Sequence, residues 1–202
     1  IKKIIKLILI KLGIVSEITL RRMQKHWVRV ISDEEIEKFI NSLDYASYSI
    51  LEISGDRWKS NFSDGQYESK YFPKFDISNI VNYRKNYDLI ILEHVLEHIS
   101  NPSLAINNIY KLLNPDGFLI VATPFLVKIH RSPKDYMRWT EEGLKYFIAE
   151  NGFDFNNVTT GQWGNKPAII ANLNKWVKYN PLIHSLKNDD QFPAVVWAFA
   201  KK

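Results

Sequence analysis

Apolar residues recur along this chain in two alternating forms, short continuous runs and stripes at helical spacing. The first stripe is Ile36, Phe39, Ile40 and Leu43. Its helix is predicted to open at Ser32, as N-cap of a capping box completed by Glu35. Ser49 to Ile53 reads as a short buried strand, ended by Ser54-Gly55-Asp56. Residues 57–75 mix polar and aromatic side chains around turn signals at Asp64-Gly65 and Pro73, and predict no element. Asp88 to Leu92 is a continuous apolar run, the pattern of a strand covered on both faces. Asn101-Pro102 then punctuates, and Leu104, Ile106, Ile109, Leu112 and Leu113 predict a helix over 103–113. Asn114-Pro115-Asp116-Gly117 is a turn into a second buried strand, Phe118 to Ala122. Thr140 caps a further helix, with Glu141 and Glu142 at its positive end and Gly152 closing it. Phe153-Asp154-Phe155 leads into a strand, and Ala194 to Ala200 forms the last one.

Strands alternating with helices imply right-handed crossovers and an α/β fold, a doubly wound and mostly parallel sheet. Residues 1–44 read as a basic N-terminal helical extension and 45–202 as the α/β domain. Ligands of such sheets sit beyond the carboxyl ends of the strands. That rule selects Glu52 to Arg57, Glu93 to His98, and Thr123 to Trp139.

Composition narrows the function. The chain has 202 residues, 46% of them hydrophobic, which suits one domain with a well-buried core. It has no cysteine, which excludes disulfides, thiolate metal sites and a cysteine nucleophile, and fits a cytoplasmic location. Residues 1–29 hold 8 basic side chains and 1 acidic one, whereas the remainder holds 19 basic and 21 acidic. The excess positive charge therefore belongs to the arm, and the body offers no general basic face for nucleic acid. In the arm the longest uncharged run, Leu7 to Ile10, is far too short to span a bilayer or to serve as a secretory signal. Wound as a helix, residues 1–15 would place Lys2, Lys3 and Lys6 on one face. Such a face suits peripheral contact with the anionic inner face of a membrane, or packing on the body with the lysines in water.

Three segments carry candidate chemistry. His94-Val95-Leu96-Glu97-His98 fits H-x-x-E-H, which on a helix can hold zinc between two histidines. Here the first histidine follows directly from a buried strand, so no established helix presents the pair, and no metal is expected. Glu52-Ile53-Ser54-Gly55-Asp56-Arg57 places an acid and a glycine turn after the first strand, where backbone can approach a charged cofactor. Its single glycine does not make the G-x-G-x-x-G dinucleotide fingerprint. Residues 124–139 bring His130, Asp135, Tyr136, Arg138 and Trp139 to the ligand edge. His130 or Asp135 can serve there as a general base, and Asp135 and Arg138 can equally pair with each other.

The run YDLIILEHVLEHISNPSLAINNIYKLLNPDGFLIVATPF resembles the second half of class I S-adenosylmethionine-dependent methyltransferases, in the type 11-like subgroup. LEISGD looks like a divergent form of that family's E-x-G-x-G motif, with Ser54 and Asp56 where glycines are usual. HRSPKDYMRWTEEGLKYFIAENGF and GQWGNKPAIIANL are similar to later segments of the subgroup, so the likeness spans roughly residues 45–200. The resemblance implies a Rossmann-like methyltransferase fold and S-adenosylmethionine as cofactor, with S-adenosylhomocysteine as product. It implies that Glu52, Ser54 and Gly55 face the methionine part of the cofactor, that Asp76 lies near the adenine, and that Glu93 and His94 line the pocket. The acid that holds the ribose hydroxyls has no clear counterpart, since Tyr71 stands near its place with Glu68 nearby. His130, Asp135 and Arg138 would face the acceptor, a small molecule or a glycan methylated on oxygen or nitrogen. The departures in the first motif leave a catalytically inactive binding protein as the alternative reading. A zinc hydrolase is a further one.

Overall fold

The structure is a computed structural model that describes Gly13, residues 16–81 and residues 83–202. The membrane-facing helix expected of residues 1–15 lies outside the described residues, Gly13 apart.

A short helix, α1 (Glu17–Arg22), precedes α2 (Val30–Ser42), and strands β1 (Ile50–Ile53) and β2 (Tyr67–Lys70) follow. Then come β3 (Tyr87–Glu93), α3 (Pro102–Leu112), β4 (Leu113–Pro124) and α4 (Glu141–Glu150). The chain finishes with β5 (Val158–Trp163), α5 (Lys166–Asn172) and β6 (Val195–Lys201). The six strands form one sheet in the order β2-β1-β3-β4-β6-β5. The β2–β1, β1–β3 and β3–β4 pairs are parallel, and β6 runs antiparallel to both β4 and β5.

The antiparallel strand departs from the simple alternation rule for a local reason. Trp163 at the end of β5 stands opposite Val195 at the start of β6. The chain therefore re-enters the sheet at the edge where it left, and must run back. Within residues 164–194, Ala168 of α5 and Tyr179 pack into the core on the α2 side of the sheet.

The side-chain alternation of the central strands builds two cores. Leu51, Ile90, Leu92, Leu119 and Val121 face Ile106 and Ile109 of α3 and Leu144 and Ile148 of α4. Ile50, Leu89, Ile91, Ile120 and Ala122 face Val30, Ile36 and Ile40 around α2, together with Trp27, Trp58 and Trp163. The N-terminal segment is thus sealed to the sheet by apolar packing. It is also clamped from above. Trp27 donates its indole N–H to the Ser185 carbonyl at 2.9 Å and stacks on His184, with ring centroids 3.9 Å apart.

The expected caps are mostly present. Asn101 and Thr140 accept from Leu104 and Gly143 backbone N–H groups, and Gly152 leaves α4 with φ of +116°. Ser32 is a correction: α2 begins at Val30 with Arg29 as its N-cap residue, and the Ser32 hydroxyl donates to the Arg29 carbonyl. Burial of Val30, Ile36 and Ile40 on the sheet, together with ion pairing of the fully buried Asp33, sets the helix start nearly one turn earlier than the polar pattern suggests.

Asn114 to Gly117 form a bulge between Leu113, opposite Tyr87, and Phe118, opposite Leu89. Asp88 fastens it. Its carboxylate accepts from the Ser49 N–H at 2.8 Å, the Ser49 hydroxyl at 3.0 Å and the Asn114 amide at 2.8 Å. Against the opposing effect of burial, these donors hold its pKa below the ordinary 3.8. A carboxylate with a depressed folded pKa stabilises the fold above its unfolded value, and that stabilisation is lost as pH falls through the folded one. Asp88→Asn should therefore cost about 1–3 kcal/mol near pH 6 by urea denaturation, with the gap to the parent chain closing below pH ~3.8.

Candidate active site

The carboxyl ends of β1, β3 and β4 meet at one edge of the sheet, where two cavities share a wall. β1 ends on Glu52 and Ile53. Glu52 is 1% exposed, and its carboxylate gathers the following loop. It accepts from the Arg57 N–H at 3.1 Å, the Trp58 N–H at 3.0 Å and the Tyr67 hydroxyl at 2.6 Å. Burial and this carboxylate push the Tyr67 phenol well up from its ordinary value, so it remains a donor. Gly55 is required by close approach. A Cβ there would stand 2.2 Å from Glu52 Oε1, inside any permitted contact.

Two non-glycine residues at this edge have left-handed backbone, Ser54 with φ of 57° and His94 with φ of 53°. Such conformations are uncommon outside glycine, and their coincidence at the ends of β1 and β3 marks an edge shaped for more than packing. It also explains how a serine occupies a place where glycine is usual: the turn keeps its glycine-like backbone. His94 is fixed by its N–H, which donates to the Ala122 carbonyl at 2.7 Å.

The larger cavity is a cleft of about 390 Å³. Ile53 and Ser54 line one side, Phe72, Asp76 and Ile77 another, and His94, Val95 and His98 the floor. Asp76 folds its own loop by accepting the Ser78 N–H at 2.8 Å. Apolar walls with a few convergent polar groups are the usual form of a cofactor site. The second cavity, about 220 Å³, is lined by His26, Val28, Arg29, His94, Val127, His130 and Trp176 among others. His94 belongs to both. Its ring is mostly buried, with Nε2 making no hydrogen bond. Burial, reinforced by the Arg29 charge, pushes its pKa far below the ordinary 6.5, so the ring is uncharged at neutral pH.

Beneath the wall runs a network of buried charges. Asp33 binds the Arg57 guanidinium and has Lys25 at 3.3 Å. Glu93, with its side chain 4% exposed, binds Arg29 and accepts from the Trp58 indole at 2.8 Å. Desolvation and the nearby Arg57 lower the Arg29 pKa to about 10, which still leaves it cationic at neutral pH.

Of the residues selected in the sequence, Ser54, Asp76 and His94 line the cleft, and His130 lines the second cavity. Glu52, Gly55 and Glu93 stand behind the cleft and fix its rim. Asp135 and Arg138 stand behind His130. Asp135 accepts the His130 N–H at 2.9 Å, and its carboxylate is bound by both terminal nitrogens of Arg138. No carboxylate ends β2: Lys70 is its last residue, and Glu68 is held by Lys70 at 3.1 Å and by Lys85. Sequence reasoning did not single out His26, Val127 or Trp176, which belong to three distant segments and join only in the fold. Trp139, selected as part of the same loop, packs in the core instead.

A family model described as a methyltransferase domain matches residues 20–151. Solved structures share the fold at low identity. A S-adenosylmethionine-dependent methyltransferase from Archaeoglobus fulgidus is 13% identical with a TM-score of 0.53, over 86% of this chain and 94% of that one. The plantazolicin methyltransferase BamL, solved with a desmethylPZN analog and SAH, is 14% identical with a TM-score of 0.54, over 93% and 90%. Phosphoethanolamine N-methyltransferase 2 of Haemonchus contortus is 12% identical with a TM-score of 0.54, over 85% and 52%. No curated protein matches the sequence. With a family model over more than half its length, on a sheet of this order, the chain belongs to the class I S-adenosylmethionine-dependent methyltransferases.

Proposed function

We propose that this protein transfers a methyl group from S-adenosylmethionine to an oxygen or nitrogen of a small-molecule or glycan acceptor, releasing S-adenosylhomocysteine. The observation that carries the reading is the place of His94 in the wall of both cavities. Methyl transfer needs two binding sites that meet at one point, with the acceptor atom in line with the carbon–sulfur bond. Ser54, Asp76, Ile77 and Val95 would hold the cofactor, with Glu52 and Gly55 setting the loop behind Ser54. When bound, it supplies an electrophilic methyl: an acceptor lone pair bonds to that carbon, the sulfonium becomes a neutral thioether, and the acceptor proton leaves to base or water. Trp176, Val28 and Val127 would close on the acceptor's apolar part, and His26 and His130 on its polar part. Asp135 and Arg138 act as positioning residues for His130.

A binding protein without transfer is the second reading. The observation that favours it is the β2 end, where Lys70 and Tyr71 offer no carboxylate to ribose hydroxyls. Calorimetry separates the cases. S-adenosylhomocysteine should bind the full chain at one site, and Asp76→Ala should weaken binding at least about tenfold, the loss of one hydrogen-bonded polar contact or more. Absence of heat at millimolar cofactor would remove the transferase reading. Tight binding of both cofactor forms, with no methyl turnover on any hydroxyl or amine acceptor, would favour the second.

A further inference from the structure

The centre of the wall is Glu97, which the function above does not use. Its side chain is fully buried, and Oε1 has no hydrogen-bond partner. Three imidazoles surround that one oxygen: His130 Nε2 at 3.5 Å, His98 Nε2 at 3.6 Å and His94 Nδ1 at 3.8 Å. The other oxygen, Oε2, accepts from the Thr123 hydroxyl at 3.3 Å. A buried carboxylate oxygen without a donor is costly. The imidazoles do not satisfy it, because ionic N–H···O hydrogen bonds close to about 2.7–2.9 Å.

We propose that Glu97 Oε1, His98 Nε2 and His130 Nε2 form a divalent-cation site, with zinc as the ion their chemistry favours. Two ligand atoms bound tetrahedrally at about 2.0–2.1 Å from zinc stand about 3.3–3.5 Å apart, close to both separations measured here. One carboxylate and two imidazoles leave a fourth position free, the arrangement of an open zinc site. One ligand is also oriented as metal ligands are. His98 Nδ1 donates to the Lys134 carbonyl, an outer acceptor that holds the Nδ1 proton and aims the Nε2 lone pair inward. His130 is placed through its backbone, whose N–H donates to Asp135 at 2.9 Å, and its Nδ1 makes no hydrogen bond. Two imidazole nitrogens thus converge on a buried carboxylate oxygen that has no hydrogen-bond donor, an arrangement that calls for a cation. The H-x-x-E-H motif thus contributes its glutamate and second histidine as ligands, and His130 comes from the loop after β4. Glu97, His98 and His130 offer ligand atoms that all lie within 4.8 Å of one another, a cluster that does not include His94.

His98 lines the cleft and His130 the second cavity, so the ion would lie in the wall between them. Its use in polarising an acceptor rests on the methyltransferase reading; its binding does not. The test is titration of the full metal-free chain with zinc chloride against a chromophoric chelator, and with cobalt(II) as a spectroscopic probe. One zinc per chain is expected, with intense visible cobalt bands of a four-coordinate site. His130→Ala and Glu97→Gln should each weaken zinc at least tenfold, and Asp135→Asn about 10–100-fold by releasing His130. His130 is partly exposed, so its variant keeps the test valid if Glu97→Gln fails to fold. His184→Ala, remote from the cluster, should leave affinity unchanged. No stoichiometric zinc, or zinc binding indifferent to His98→Ala and His130→Ala, would overturn the site. Cofactor calorimetry on the metal-free chain reads the methyltransferase claim independently.

Discussion

Replacing His94 with glycine is expected to lower the methyl-transfer rate by about 10²-fold, while the chain remains folded. Glycine adopts the positive φ of position 94 without strain, so the substitution removes the ring and not the turn. What is lost is the partition. With the imidazole gone, the cleft and the second cavity merge, and nothing keeps an acceptor atom in line with the methyl carbon. Misplacement by about 1 Å costs on that order in rate. The fall should appear chiefly in kcat, since the cofactor contacts proposed above lie along Ser54, Asp76 and Ile77, which line the cleft away from the ring. Circular dichroism and S-adenosylhomocysteine calorimetry on the same sample check that fold and cofactor site survive. An unchanged kcat would show that the ring is only a packing residue.

The second large effect is expected at Glu52. Glu52→Ala leaves the Arg57 and Trp58 N–H groups and the Tyr67 hydroxyl without their acceptor in a site that is buried at Trp58 and partly buried at the other two. The cost should be about 2–4 kcal/mol in urea denaturation, because each orphaned buried donor is worth about 1–3 kcal/mol and the loop can partly relax. Cofactor affinity should fall with it. The loop that follows Ser54, a residue lining the cleft, is drawn in by this carboxylate, and Gly55 fits closely against it. Glu52→Gln keeps one carbonyl acceptor and should lose less on both counts. A Glu52→Ala chain within about 0.5 kcal/mol of the parent would contradict this role, since changes that small are typical of surface positions.

These two residues show where the sequence was informative. Strand segments that become fully buried, such as Leu89 to Leu92 and Leu119 to Ala122, are written as unbroken apolar runs, because both faces of the sheet are covered. The edge strand Tyr67–Lys70 is half-exposed along its whole length and reads as loop, since no apolar pattern is demanded of it. The direction of β6 leaves no trace in hydropathy, because the same alternation serves either orientation. The cleft's place was legible for a topological reason: Ser54 and His94, which line it, fall directly after β1 and β3, where motif and fold coincide. The second cavity was not, because His26, His130 and Trp176 are joined only by tertiary packing. Arg29 and Asp33 read as a solvated helix start, yet they are buried partners of Glu93 and Arg57. A charge's burial depends on which surface its helix meets, and spacing alone does not encode that.

The central claim is that the two cavities divide cofactor from acceptor across His94. Its most direct test is an experimental structure with S-adenosylhomocysteine bound. The account predicts the adenine beside Asp76 and Ile77 and the thioether sulfur at His94, opening towards the cavity of His130 and Trp176. Cofactor bound elsewhere, or with its sulfur turned away from that cavity, would contradict it.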